Sequence, residues 1–203
     1  MKGRALISVL ALLVAGSLRA QQNPKITVEG GSPDDRASAR LLYWNNRANT
    51  AAGQLAINYG RPVWKKEYDD PATFDKMTKG QTWRMGSNFW TNVYADVPVT
   101  IGGKSIAPGL YFVGMQRSQD GASWNLAFID STSVRKSRID AFDIRKATVE
   151  FTAHMTAEPA GSDTVEKLTI TLANSENDIR SATLKVAWGR LVLTAPVHVS
   201  LRD

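Results

Sequence analysis

The 203-residue chain contains no cysteine and only two histidines. The missing thiols exclude disulfides, thiolate metal sites, Cys nucleophiles and redox pairs. His154 and His198 stand outside any His-x-His or His-Glu-x-x-His spacing, so no metal and no cofactor are expected. No Gly-x-Ser-x-Gly elbow occurs, and Gly86-Ser87-Asn88 does not supply one. No glycine-rich phosphate cradle occurs either, because Gly102-Gly103 follows a strand pattern and reads as a hairpin turn rather than a strand-to-helix junction. The longest uncharged apolar stretch, Ala5–Leu18, is shorter than the roughly 20 residues a membrane-spanning helix needs.

That stretch follows Lys2 and Arg4 and precedes Ala20, a small residue suited to cleavage. Positive head, apolar centre and small-residue end together are expected to be a secretory signal over residues 1–20, with cleavage after Ser17 as an alternative. No cysteine follows it to carry a lipid. The expected location is the periplasm or beyond, with no membrane span after cleavage. Lys2, Arg4 and Arg19 leave with the signal, so 25 basic residues become 22 against 19 acidic ones, a net charge of +3. Such a small charge, with signs interspersed, argues against a nucleic-acid partner, which would call for a clustered basic face.

Residues 21–36 are polar and turn-rich and read as a flexible lead-in, with one short strand around Ile26–Val28. Residues 37–203 are the size of one domain, large enough to be stable without staples. Apolar residues there alternate: Leu55, Ile57, Tyr59; Val97, Val99, Ile101; Val149, Phe151, Ala153; Leu168, Ile170, Leu172; Leu184, Val186, Trp188; and Leu191, Leu193. Period two gives each strand one buried face. Many such strands separated by Gly and Pro turns indicate an all-β sandwich or jelly-roll-like fold, here with eight to ten strands and one or two short helices. Gly102-Gly103 suits a tight hairpin. Pro108-Gly109 has the residues of a type II turn, and Gly189 separates two strands. Asp70-Pro71 begins a helix, with Phe74 and Met77 on one face and Gly80 at its end. Leu41–Trp44 and Asp140–Ala147 are each compatible with more than one element.

A set of local patterns accompanies this periodicity: Tyr59-Gly60-Arg61-Pro62; Trp83-Arg84-Met85-Gly86-Ser87-Asn88 with Thr91; Gly103; Pro108-Gly109-x-Tyr111; Trp124; and Trp188-Gly189. In order and spacing they resemble a family of secreted bacterial proteins known as domain of unknown function 2911, over roughly residues 33–199. Residues 63–80 depart from the Lys-Gly-Arg and glycine-rich pattern usual in that family. The resemblance implies an exported β-sandwich-like domain and brings no assigned activity.

Arginine offers a planar fork to carboxylates, phosphates and sugar hydroxyls and stacks on rings. Arg84 follows Trp83 and Arg61 lies two residues after Tyr59, and six tryptophans in one domain is a high count. The candidate ligand-binding residues are therefore Tyr59, Arg61, Trp64, Trp83, Arg84 and Asn88, in a non-catalytic binding or accessory domain for a carbohydrate-like or anionic small ligand. No catalytic residue is assigned. Trp188, at the end of an alternating strand, reads as core. Two alternatives remain. One is a periplasmic hydrolase using a carboxylate from Glu67, Asp69, Asp70 or Asp75 with Arg84 in support, which requires a raised carboxylate pKa. The other is an envelope interaction domain with an exposed apolar patch. The basic run Arg135-Lys136-Ser137-Arg138 is suited to an acidic polymer or lipid headgroup, but with Asp130, Asp140 and Asp143 flanking it the expected reading is solvated surface. The oligomeric state is left open.

Overall fold

A computed structural model describes residues 26–28, 30–32, 34–159 and 164–201. The expected signal segment lies outside these. The chain divides into two units, Met1–Pro33 and Asp34–Asp203. In the first, Ile26–Val28 form no strand, contrary to the expectation. Three isolated residues in a polar stretch have neither a partner strand nor a buried face to fix a ladder.

In the second unit the elements run β1 (Arg36–Asn45), β2 (Thr50–Gly60), a 3-10 turn (Lys66–Asp69), α1 (Pro71–Thr78), β3 (Thr82–Arg84), β4 (Thr91–Ala95), β5 (Val99–Ile101), β6 (Lys104–Ile106), β7 (Gly109–Arg117) and β8 (Trp124–Ile129). They continue with α2 (Ser131–Ser137), a second 3-10 turn (Ala141–Lys146), β9 (Val149–Ala157), β10 (Val165–Asn174), β11 (Ser181–Gly189) and β12 (Leu191–Val199). The strand path is β1-β2-β4-β7-β8-β9-β12-β11-β10, with β3 beside β7 and the β5–β6 hairpin beside β12. Only Leu193↔Ala157 and Thr194↔Thr156 join β12 to β9. The sheet folds over at this narrow junction and becomes the two layers of an all-β sandwich. Among the described residues there are twelve strands where eight to ten were expected. β3, β5 and β6 have three residues each, too few to display a clear alternation.

The alternating residues meet between the layers. Leu55, Ile57, Val93, Val113, Met115, Leu126 and Phe128 from one side join Leu168, Ile170, Leu184, Val186, Leu193 and Val197 from the other in one buried cluster. Each such large side chain contributes about 1.5–3 kcal/mol on burial. β8 departs from the period-two rule because both its faces are covered. Leu126 and Phe128 point into the main core, while Ala127 and Ile129 lie in a second cluster with Trp90, Val134, Ala141 and Ile144. α2 and the Ala141–Lys146 turn thus form a shared cover on the outer side of β8.

Local chemistry fixes the remaining elements. Asp70 Oδ2 accepts hydrogen bonds from the Thr73 amide (2.9 Å) and hydroxyl (2.6 Å), capping α1 with Pro71 in its first turn. Leu41–Trp44 belong to β1, in a hairpin with β2. Asp140 accepts from the Phe142 amide and starts the second 3-10 turn. Gly102 and Gly103, with φ of 53° and 79°, close the β5–β6 hairpin as expected. The type II turn expected at Pro108-Gly109 does not form. Gly109 lacks the positive φ that turn requires and opens β7 opposite Ala95, because pairing with β4 draws its backbone into the ladder.

Candidate functional site

The segment after β2 lies along the outer edge of β10. The Tyr59 hydroxyl donates to the Ile170 carbonyl (3.2 Å) and accepts from the Ile170 amide (3.0 Å). The Leu168 amide donates to the Pro62 carbonyl (3.0 Å), and the Trp64 amide donates to the Glu166 carbonyl. Arg61 Nε approaches the Leu168 carbonyl at 3.5 Å, and its guanidinium lies 3.9 Å from Asp35. An edge strand normally exposes a row of unpaired amides and carbonyls. Here the Tyr-x-Arg-Pro segment occupies that row. Tyr59 is 3% exposed and its hydroxyl is taken up by β10, and neither Tyr59 nor Arg61, both expected in the ligand site, lines the cavity described below.

The second motif packs directly on the first. A Cβ on Gly60 would run into the Ser87 carbonyl, so the two backbones can approach only because residue 60 is glycine. The Thr91 hydroxyl donates to the Met85 carbonyl and ties down the loop's far end. Asn88 adopts φ 62°, and its side-chain amide donates to Asp34 at the exposed rim of the loop, outside the cavity. Trp83 and Arg84, on β3, line a cavity of about 700 Å³.

The floor of this cavity is apolar and largely aromatic: Trp83, Trp188, Tyr68, Met77 and Leu168. The rings of Trp83 and Trp188 lie 5.9 Å apart at 31°. Trp188 Nε1 donates to the Pro62 carbonyl (2.9 Å), which fixes its plane, and it is 6% exposed, in keeping with the expected core role. The Trp83 Nε1 is buried and has no hydrogen-bond partner among the described residues. The rim carries Lys65, Arg84, Arg145, Lys146 and a single acid, Asp143. Asp143 pairs with Lys146 at 3.0 Å, and Lys65 lies 3.6 Å from Glu67. Arg84 donates to the Asn88 carbonyl (3.3 Å) and sits 5.6 Å from the ring of Phe142, itself 78% exposed at the cavity mouth. Arg145 makes no ion pair among the described residues.

Of the six expected residues, Trp83 and Arg84 reach the cavity. Trp64 faces a neighbouring concavity of about 350 Å³, against Phe74, Asp75 and Arg117. Its ring lies over Gly189, whose φ of 59° and missing Cβ let the β11–β12 turn pass beneath the indole. Trp90, seven residues after Trp83, stacks on Phe112 in the outer cluster. The sequence reading did not assign Tyr68, Met77, Phe142, Arg145, Lys146 or Leu168 to a site. The pattern of β10 marked Leu168, the apolar face of α1 marked Met77 and charge marked Arg145 and Lys146, and none of these reveals proximity to Trp83.

Two of the four candidate carboxylates between residues 67 and 75, Asp70 and Asp75, are engaged elsewhere. Asp70 caps α1, and the Thr73 hydroxyl and amide hold it below the usual carboxylate range. Asp75 is lowered as well, by the Lys79 ammonium (2.7 Å) and the Arg117 guanidinium (2.6 Å). Arg117 is in turn stacked between Phe74 and Trp124. These shifts run opposite to the one a general acid needs. Among the described residues no group of three His, Cys, Asp or Glu side chains could hold a metal ion, and no helix is long and apolar enough to cross a membrane.

Comparison with curated proteins and with solved structures gives no match. Comparison with protein families matches residues 45–197 to one described as "Protein of unknown function (DUF2911)", in agreement with the motif resemblance. The match covers most of the chain, and the protein belongs to the DUF2911 family.

Proposed function

We propose that this is a non-catalytic binding domain of the bacterial envelope or its surroundings, whose cavity takes an anionic small ligand with a flat or sugar-like face. The observation carrying this reading is the pairing of the Trp83–Trp188–Tyr68 floor with a rim of four cations and one acid. Aromatic faces stack on the apolar side of a sugar or ring. A charge-assisted bond from arginine to a carboxylate is worth about 1.5–3 kcal/mol where water is partly excluded. Arg84 is held by its bond to Asn88 and its contact with Phe142, so little side-chain freedom remains to be lost on binding.

A thermal-shift screen tests the proposal, comparing glucuronate and galacturonate with neutral glucose and galactose at low salt. At a concentration 100-fold above Kd, a bound ligand adds about 2.7 kcal/mol of stability. That corresponds to roughly 5–10 °C for a domain of this size. Shifts with the uronates and none with the neutral sugars are expected. Equal shifts with both, or none with any acidic ligand, would overturn the reading.

A second reading, an interaction domain, has its own observation. Leu42, Trp44 and Ile179 are exposed and gather with Leu41 and Leu201 around an apolar concavity of about 440 Å³. Photo-crosslinking from position 44 in intact cells, with position 104 as control, checks it. A discrete adduct from position 44 alone supports a protein partner, and its absence removes this reading.

A further inference from the structure

The cavity's cationic rim continues into a larger basic surface. Arg145 and Lys146 belong to the Ala141–Lys146 turn, and α2 immediately precedes it. Both elements are anchored on the same outer face of β8 through Val134, Ala141 and Ile144, and both carry their cations on exposed positions. Arg135, Lys136, Arg138, Arg145 and Lys146 are all exposed.

The acids interspersed among them are engaged locally. Asp130 accepts from the Thr132 and Ser133 amides at the start of α2. Asp140 accepts from the Phe142 amide, and Asp143 pairs with Lys146. Among the described residues Arg135, Lys136, Arg138 and Arg145 therefore have no ion-pair partner.

Arg138 adds a second observation. It ends α2 in the left-handed conformation, with φ 53° and ψ 42°. Glycine normally occupies that position because a Cβ there is disfavoured. A long cation stands where glycine would be conformationally easier. Phe142, four residues after Arg138, is exposed and lines the cavity, so it offers an aromatic face on the same stretch of chain.

We infer that the ligand is an acidic polysaccharide: one sugar unit sits in the cavity and the chain runs outward over Phe142 and the cations of α2. This rests on the cavity reading above and extends it from a single sugar to a polymer. Several carboxylates spaced along one chain would neutralise cations that otherwise repel one another, an advantage a monosaccharide cannot supply. The small overall charge, with acids spread through the rest of the domain, favours a glycan over a nucleic acid, which demands a broader basic face.

Isothermal titration of the purified protein with galacturonate and with an octagalacturonate tests the inference. The comparison variant is Arg135→Gln/Lys136→Gln/Arg138→Gly, none of whose positions lines the cavity. The octamer is expected to bind at least tenfold more tightly than the monomer. The triple variant should lose about tenfold for the octamer and nothing for the monomer, with no fall in melting temperature.

Equal affinities for monomer and octamer, with the monomer still sensitive to Arg84→Ala, would overturn the polymer inference and leave the cavity reading standing. A triple variant that weakens monomer and octamer alike would also overturn it. If neither sugar binds, both readings fall. Tighter binding of inorganic polyphosphate or single-stranded DNA than of the octamer, with the same dependence on the triple substitution, would replace the glycan with another polyanion.

Discussion

Tyr59–Trp64 and Trp83–Asn88 pack against each other through Gly60 and Ser87, and both carry arginine close to aromatic rings, yet they behave differently. In the first, the polar groups turn inward onto β10: the Tyr59 hydroxyl serves both backbone groups of Ile170, and the Pro62 carbonyl accepts from both Leu168 and Trp188. In the second, Trp83 and Arg84 open onto a cavity. The difference lies in what each segment borders. β10 has a free edge whose amides and carbonyls must be satisfied, and the segment beside it is used for that purpose. β3 has only three residues beside β7, and Trp83 and Arg84 are both among the residues lining the cavity.

The comparison breaks most visibly at Gly60. Gly60→Ala places a methyl group against the Ser87 carbonyl, where backbone rather than a flexible side chain must give way. A loss of about 3 kcal/mol is expected, seen as a fall in urea midpoint at unchanged m-value. Wild-type stability would show that the two segments do not meet as described. Tyr59→Phe should cost about 2 kcal/mol, since it leaves the Ile170 amide and carbonyl without their partner in a buried setting. A melting temperature within a degree of wild type would contradict that role.

Arg84→Ala is expected to act the other way round. Stability should change by no more than about 0.5 kcal/mol. Affinity for a uronate should fall about tenfold, equivalent to about 1.4 kcal/mol, as read by titration calorimetry. The smallest effect concerns acid. The folded-state pKa of Asp75 lies below its ordinary value of about 3.9. Its ion pairs therefore contribute fully above that value and are lost as pH falls through the depressed one. Urea midpoints measured from pH 5 down to pH 2 should fall less steeply in Asp75→Asn than in wild type. Parallel slopes would show that Asp75 adds nothing to acid sensitivity.

The layers were legible in the sequence because most strands bury one face and keep period two. β8 was hidden because Leu126, Ala127, Phe128 and Ile129 are all buried, on alternate sides, and a continuous apolar run has no alternation. α1 was legible from Asp70-Pro71 because capping is local chemistry. Half of the cavity was out of reach for the opposite reason. Trp83 and Arg84 are marked by their motif, but Leu168, Trp188 and Arg145 come from distant parts of the chain. They meet only after Pro62 pairs with Leu168 and the Ala141–Lys146 turn packs behind β8. The contacts of Tyr59 and Arg61 with β10 could not be foreseen, because an unpaired strand edge cannot be seen before the strands are ordered.

The most direct test follows tryptophan fluorescence during galacturonate titration of the wild type, Arg84→Ala and Arg61→Ala, with melting temperatures recorded in parallel. The expected result is a saturable change in the wild type, an about tenfold weaker one in Arg84→Ala at an unchanged melting temperature, and wild-type affinity in Arg61→Ala at a lowered one. Loss of binding in Arg61→Ala with none in Arg84→Ala, or no fluorescence change in the wild type, would contradict the division between a sealing segment and a binding segment.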